Sequence, residues 1–218
     1  MKYTEARTIC LDTPPNRQLP FPDMNKKFLT ICLNPTIQKT LVFDGFGIDQ
    51  VNRAGITRTD ASGKGVNVTR VLNQLGANAV HMTHAGGPDS GWFLGMCTAD
   101  GLDVRWVDSF SPVRFCTTVI DTLAGTATEL VEESLPVQPG TEERIRALFD
   151  SLVGDFDVVT LSGTKASGYS PSIIPAMVKH ATAKGVMTIL DIRGEDLMAS
   201  LPFGPSVVKP NLAEFLST

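Results

Sequence analysis

FDVVTLSGTKASGYSPSIIPAMVKHATAKGVMTILD (156–191) decides the fold, because it holds a strand, a helix and a second strand in that order. FDVVTLSG (156–163) is a short apolar run ending in glycine, the pattern of a buried strand. SPSIIPAMVKHATAKG (170–185) has a serine at the cap, Pro171 in the first turn and Gly185 just past the end. Serine satisfies free N–H groups at a helix start, proline loses nothing there, and glycine closes the far end in left-handed geometry. GVMTILD (185–191) is apolar again. Nearly continuous apolar strands separated by a helix imply parallel strands covered on both faces.

The same rhythm extends outward. TEERIRALFDSLV (141–153) places Ile145, Leu148, Leu152 and Val153 on one helical stripe, and PSVVKPN (205–211) is a further buried strand. Towards the amino end, FLTICL (28–33) and NAVHMTHAGG (78–87) read as strands on either side of DASGKGVNVTRVLNQLG (60–76), whose second half has helical spacing. The chain is therefore α/β, with a mainly parallel sheet in three α/β/α layers. Two segments interrupt it, at about 38–60 and 113–134; they are rich in threonine, valine and phenylalanine, with glycine turns and no helical period. Read as strand pairs, they form a small β-sheet lid over the carboxyl ends of the main strands, where open α/β folds bind ligands.

Composition limits the functions open to such a domain. The 218 residues are 42% hydrophobic and carry a net charge of −4, enough for one sizeable core and unlike the basic surfaces that bind nucleic acid or anionic membranes. No apolar run approaches the roughly 20 residues that span a bilayer, and the amino terminus lacks the apolar core of a signal peptide. Cys10, Cys32, Cys97 and Cys116 are scattered without a CxxC pair, which fits a reduced cytoplasmic setting. His81 and His84 stand three apart in a strand-like run, on opposite faces, and make a poor metal pair. Residues 1–27 hold four prolines and no hydrophobic period, so they read as a disordered arm preceding a domain at 28–218.

The turn DASGKG resembles a phosphate loop only superficially. A P-loop needs glycine five positions before Gly63, where Arg58 stands, and serine or threonine after Lys64, where Gly65 stands. No G-x-G-x-x-G is present either. What is left is a glycine turn at a helix amino terminus, which attracts oxygen-rich or anionic ligands, or else a close-packed turn serving only the fold.

NPTIQKT (34–40), VNRAGITRTDASGKGVNVTRVLNQLG (51–76), GGPDSG (86–91), VVTLSGTKASG (158–168), ILDIRGE (189–195) and VKPNLAEF (208–215) together resemble the PfkB, or ribokinase-like, carbohydrate kinases. The similarity runs in order through residues 28–218 and is strongest to the 1-phosphofructokinase and tagatose-6-phosphate kinase branch. It implies ATP-dependent phosphoryl transfer to a phosphorylated ketohexose (fructose 1-phosphate, fructose 6-phosphate or tagatose 6-phosphate), with Mg2+ and, through the lid, a homodimer. Gly63, Lys64 and Asn67 correspond to the turn that binds sugar hydroxyls, and Ser162 and Thr164 to the substrate-side loop. Arg53 and Arg114 match the clamp on the sugar phosphate, for which a guanidinium fork is suited; each taken alone reads as a solvated surface charge. Lys209, Asn211 and Glu214 fall in the KPNxxE pattern, whose asparagine and glutamate organise Mg2+ through water beside the ATP phosphates. The residues themselves support a helix cap with a first-turn acid equally well.

Several positions depart from the pattern. Gln38 stands where an aspartate usually accepts hydrogen bonds from sugar hydroxyls, and Ser62 replaces the first glycine of the turn. Lys165 and Arg193 bring positive charge where the nearest relatives have leucine and serine. The family continues past KPNxxE into a GxGD segment carrying the general base. The chain stops at Thr218, so the resemblance implies a C-terminally truncated domain with its catalytic aspartate beyond that residue. The alternative is a non-catalytic sugar-phosphate-binding protein with a truncated kinase fold.

Overall fold

A computed structural model describes residues 26–212. The expected arm falls almost wholly outside these residues, as does Glu214. Among the described residues, ten strands and five α-helices follow one another in two interleaved units.

The main unit is a six-stranded sheet: β1 (Lys27–Cys32), β4 (Asn78–Ala85), β5 (Asp103–Asp108), β8 (Val158–Ser162), β9 (Met187–Asp191) and β10 (Val207–Val208). Its order is β10-β9-β8-β1-β4-β5 and every pairing is parallel. The chain leaves β1 towards β4 on one side and β8 towards β9 on the other. A crevice therefore opens at the carboxyl ends of β1 and β8, the switch point where α/β sheets hold ligands.

The helices cover both faces: α1 (Lys64–Gln74) and α2 (Ser90–Ala99) on one, α3 (Thr141–Leu152), α4 (Ile173–Ala183) and α5 (Gly194–Ser200) on the other. Strand alternation divides the core accordingly. Leu29, Ile31, Met82 and Leu161 pack against Ile145, Phe149, Ile173 and Met177, each such side chain contributing roughly 1.5–3 kcal/mol by leaving water. The opposite face carries Thr30, His81 and Thr83, all buried, so these strands are less uniformly apolar than their sequence suggests. The histidines separate as strand parity requires: His81 faces Thr69 of α1, and His84 faces Tyr169.

Helix α4 starts later than the serine and proline at 170–171 imply. Ser170 gives both its N–H and its hydroxyl to Glu142 at 2.7 Å, which ties it to α3 ahead of the helix start. Ser172 takes the cap position, and Pro175 occupies the first turn. In α3, Phe149 joins the buried stripe with Ile145 and Val153. The last strand is only two residues long, shorter than the run at 205–211 implies.

The second unit is the lid, inserted after β1 and after β5. It consists of β2 (Thr36–Phe43), β3 (Ile56–Ser62), β6 (Arg114–Asp121) and β7 (Thr126–Val131), ordered β3-β2-β6-β7. The two strand pairs join through a parallel β2–β6 pairing that sets Thr36 against Arg114. Among the described residues, no helix is long and apolar enough to cross a membrane.

Candidate functional site

The crevice holds a cavity of about 850 Å3, floored by the ends of β1, β8 and β9 and roofed by the lid. Gly63 and Lys64 reach it from the start of α1, Arg114 from the lid, and Thr164 from the loop after β8. Four residues expected from different segments thus share one space.

The glycine turn is required by the packing beneath it. Gly63 has φ of 124°, in the region that disfavours side chains, and a Cβ there would lie 3.0 Å from Cys32 Sγ. A Cβ on Gly65 would sit 2.9 Å from both the Ile31 carbonyl oxygen and Cys32 Cβ. The close approach of α1 to β1 therefore explains Gly65, and it also directs the helix start into the cavity. A buried chain of hydrogen bonds holds this turn from below. Thr69 donates to the Gly65 carbonyl at 2.8 Å, and Thr30 lies 2.5 Å from Thr69 Oγ1 and 2.9 Å from His81 Nδ1. With Thr69 committed to Gly65, the donors run one way from His81 through Thr30. Burial lowers His81 to about 3, so the ring is neutral.

Charge on the floor is largely paired. Lys64 Nζ and Lys209 Nζ lie 3.5 and 3.6 Å from Asp191 Oδ1. Lys165 contacts both oxygens of Asp196, at 2.5 and 2.6 Å. Among the described residues, Asp191 Oδ1 is buried and accepts no hydrogen bond, and Asn34 Oδ1 and Arg114 Nε are buried without partners as well. These unsatisfied groups line or border one polar space, where a ligand with hydroxyls and an anionic group would complete them. Cys32 also lines it, and burial raises its thiol pKa, which favours the neutral thiol over the thiolate.

The remaining expected residues lie elsewhere. Gln38 donates to Thr118 across the lid at 2.9 Å, and Arg53 is exposed. Asn67 is exposed, accepting from Arg70 at 2.7 Å and donating to Ser62 at 3.4 Å. Ser162 is buried at the end of β8, and Asn211 is exposed. Conversely, Asn34 and Asp191 belong to the cavity although neither stood out as a site residue. Asn34 opens NPTIQKT and Asp191 sits in ILDIRGE, so both lay within recognisable stretches. Their unsatisfied oxygens are a property only packing creates.

A family model described as "pfkB family carbohydrate kinase" matches residues 32–217. The tagatose-6-phosphate kinase of Staphylococcus epidermidis is 29% identical over 188 residues, covering 85% of this chain and 60% of that protein. The chain thus spans about 60% of the length of the curated relatives it matches. A Thermotoga maritima protein described as a "Possible 1-phosphofructokinase" superposes with a TM-score of 0.81 at 22% identity, over 86% of this chain and 61% of that one. Escherichia coli phosphofructokinase-2 in complex with fructose-6-phosphate gives 0.76 at 22% identity, over 88% and 63%. At such identities these structures establish the shared ribokinase-like fold. Together with the family match over most of its length, they identify the chain as a member of the pfkB family of carbohydrate kinases.

Proposed function

We propose that the site binds a phosphorylated ketohexose beside ATP and serves phosphoryl transfer between them. The observation that carries this reading is the shared cavity, in which Arg114 of the lid faces the Gly63–Lys64 turn and the unsatisfied Asn34 oxygen. Arginine suits a phosphate, while Asn34 and Thr164 suit sugar hydroxyls. Fructose 1-phosphate, fructose 6-phosphate and tagatose 6-phosphate are the candidate substrates, following the relatives named above. Arg53, Gln38, Asn67 and Ser162 belong to this reading only if lid closure or ligand binding brings them inward.

Phosphoryl transfer depends on positioning and on neutralising charge, and the floor supplies lysines for the second task. Lys209 and Asn211, with Glu214, are proposed for the nucleotide side. The Asp191 oxygen suits Mg2+, a hard ion that prefers carboxylate and water oxygens, although two nearby lysines oppose it. Held near Asp191 and Asn211, such an ion would supply charge neutralisation for the phosphates; the protein's part is to hold the sugar and exclude water under the lid. Leu130 and Val131 are half exposed on the free edge strand β7, which supports a homodimer through the lid. A cytoplasmic setting belongs to the same reading and agrees with Cys32, Cys97 and Cys116 being free thiols.

A second reading, binding without catalysis, is favoured by one specific observation. Both floor carboxylates, Asp191 and Asp196, are engaged by lysines, whereas transfer needs a carboxylate to accept the hydroxyl proton. Calorimetric titration with the three sugar phosphates, paired with ADP release in Mg-ATP, separates the readings. Binding with turnover is the expected kinase result, and binding without turnover selects the second reading. Absence of binding to all three, in folded protein, would reject both.

A further inference from the structure

Arg193 lines the cavity, yet its side chain makes no hydrogen bond or ion pair among the described residues. The other floor cations are committed: Lys64 and Lys209 flank Asp191, and Lys165 is held by Asp196. Arg114 on the lid gives one N–H to the Glu132 carbonyl at 3.2 Å, while its Nε is unpartnered. The cavity therefore has two guanidinium groups with donors to spare, one on the roof and one on the floor.

Backbone geometry aims Arg193 at this space. Asp191, Ile192 and Arg193 all border the cavity, but Ile192 is 3% exposed and packs its side chain into the core. Alternation along extended chain puts residues two apart on one side, and Arg193 is extended, with φ of −138° and ψ of 173°. The side chain thus projects beside Asp191 on the floor.

We propose that Arg193 is a further phosphate-binding residue of this site, donating paired hydrogen bonds to a phosphate that Arg114 does not hold. This rests on the reading of the cavity as a sugar-phosphate and nucleotide site, and deepens it. Two sources share the chemistry: the phosphate of the sugar and the phosphates of ATP. Arg193 is exposed, so water solvates its charge in the free protein; its place on the cavity wall is what points to phosphate, since bidentate contact to phosphate is the arrangement its fork fits best. Glu129 and Glu133 of the lid side also line the cavity, but both are exposed, where carboxylates are well screened.

The test is calorimetric titration of the whole chain with fructose 6-phosphate, tagatose 6-phosphate and fructose 1-phosphate, each alone, and separately with ATP. Wild type, Arg193→Ser, Arg193→Lys and Arg114→Ala are compared, with urea midpoints confirming that each is folded. Arg193→Ser should weaken one ligand class about ten- to a hundredfold, the worth of hydrogen bonds to a charged group, and Arg193→Lys should recover part of it. Loss confined to sugar phosphates places the residue on the sugar's phosphate; loss confined to ATP places it on the nucleotide. Unchanged affinities in Arg193→Ser, while Arg114→Ala loses binding, would overturn the assignment and leave the site's reading intact. An equal weakening of both classes that salt abolishes would mark a diffuse field and overturn it too. So would an effect that vanishes in a Glu129→Gln, Glu133→Gln background, since lid contacts would then account for it. Wild-type protein that binds none of the four ligands would remove the reading of the site and this proposal together.

Discussion

Lys64 Nζ lies 3.5 Å from Asp191 Oδ1, joining the first residue of α1 to the last residue of β9 across the cavity floor. The lysine is nearly half exposed and the aspartate mostly buried. At that exposure the pair contributes little to folding, within about 1 kcal/mol, because water screens it. Its place beside the glycine turn gives it a larger part in binding. Lys64→Met should leave the urea midpoint nearly unchanged while weakening sugar-phosphate binding about tenfold, the loss of one charge-assisted contact. Equal affinities for variant and wild type would take Lys64 out of the site.

Gly65 makes the opposite prediction. A methyl group there must displace the Ile31 carbonyl or Cys32, both rigid parts of β1, so Gly65→Ala should cost about 1–3 kcal/mol. Gly91 in α2 has nothing within 4 Å of an added Cβ, so Gly91→Ala should be neutral or slightly stabilising. Urea unfolding of the two variants checks the contrast, and similar midpoints would show that α1 can move away from β1.

What the sequence conveyed, and what it hid, follows from this packing. Strands β1, β8 and β9 were legible because buried parallel strands are short apolar runs, and the lid because its threonine-rich segments break the helical period. Helix α2 was not, since SGWFLGMCTA is apolar around much of its circumference and carries Gly91 and Gly95. Edge strand β5, DVRWVD, alternates with charge and resembles a loop. Resemblance supplied Gly63, Lys64, Arg114 and Thr164, which the fold brings together. The stranded oxygens of Asn34 and Asp191 depend on neighbours distant in sequence, and no local pattern announces them.

The buried histidines predict an acid-sensitive fold. Burial lowers His81 to about 3 and His84 to about 4, against an unfolded value near 6.5. Below that value the unfolded chain binds protons that the folded chain refuses. Their contribution is therefore complete above pH 6.5 and is lost as pH falls towards 4. Each histidine adds a slope of about 1.4 kcal/mol per pH unit in that window. Urea unfolding should show His81→Gln to be less stable than wild type at neutral pH, with roughly half the histidine-dependent slope. A slope equal to wild type would show that His81 takes up its proton without unfolding.

Asn34 should trade stability for binding. Its Oδ1 is a buried acceptor without a partner, and its amide makes only a 3.4 Å contact to Thr164. Leaving such an oxygen unsatisfied costs about 1–3 kcal/mol, so Asn34→Leu, close in size, should be at least as stable as wild type. Sugar-phosphate affinity should nevertheless fall, because a hydroxyl donor loses its acceptor. Thermal unfolding and calorimetry on one preparation test both halves. Lower stability with intact affinity would make Asn34 a structural residue.

On the proposed reading, Arg114 is the lid residue placed to grip the phosphate of a sugar phosphate. Its guanidinium gives one N–H to the Glu132 carbonyl, its backbone carbonyl accepts from the Thr36 hydroxyl at 3.1 Å, and its Nε is buried without a partner among the described residues. The backbone and the guanidinium are thus each anchored in the lid while a donor is left for a ligand. Because the fork geometry matters as well as the charge, Arg114→Lys should restore little of what Arg114→Ala removes, about ten- to a hundredfold in sugar-phosphate affinity. The loss should be smaller for the unphosphorylated sugar, which offers nothing for the guanidinium to grip. An Arg114→Ala variant that weakens fructose and fructose 6-phosphate by the same factor would mean that the residue shapes the lid and leaves the phosphate to another group.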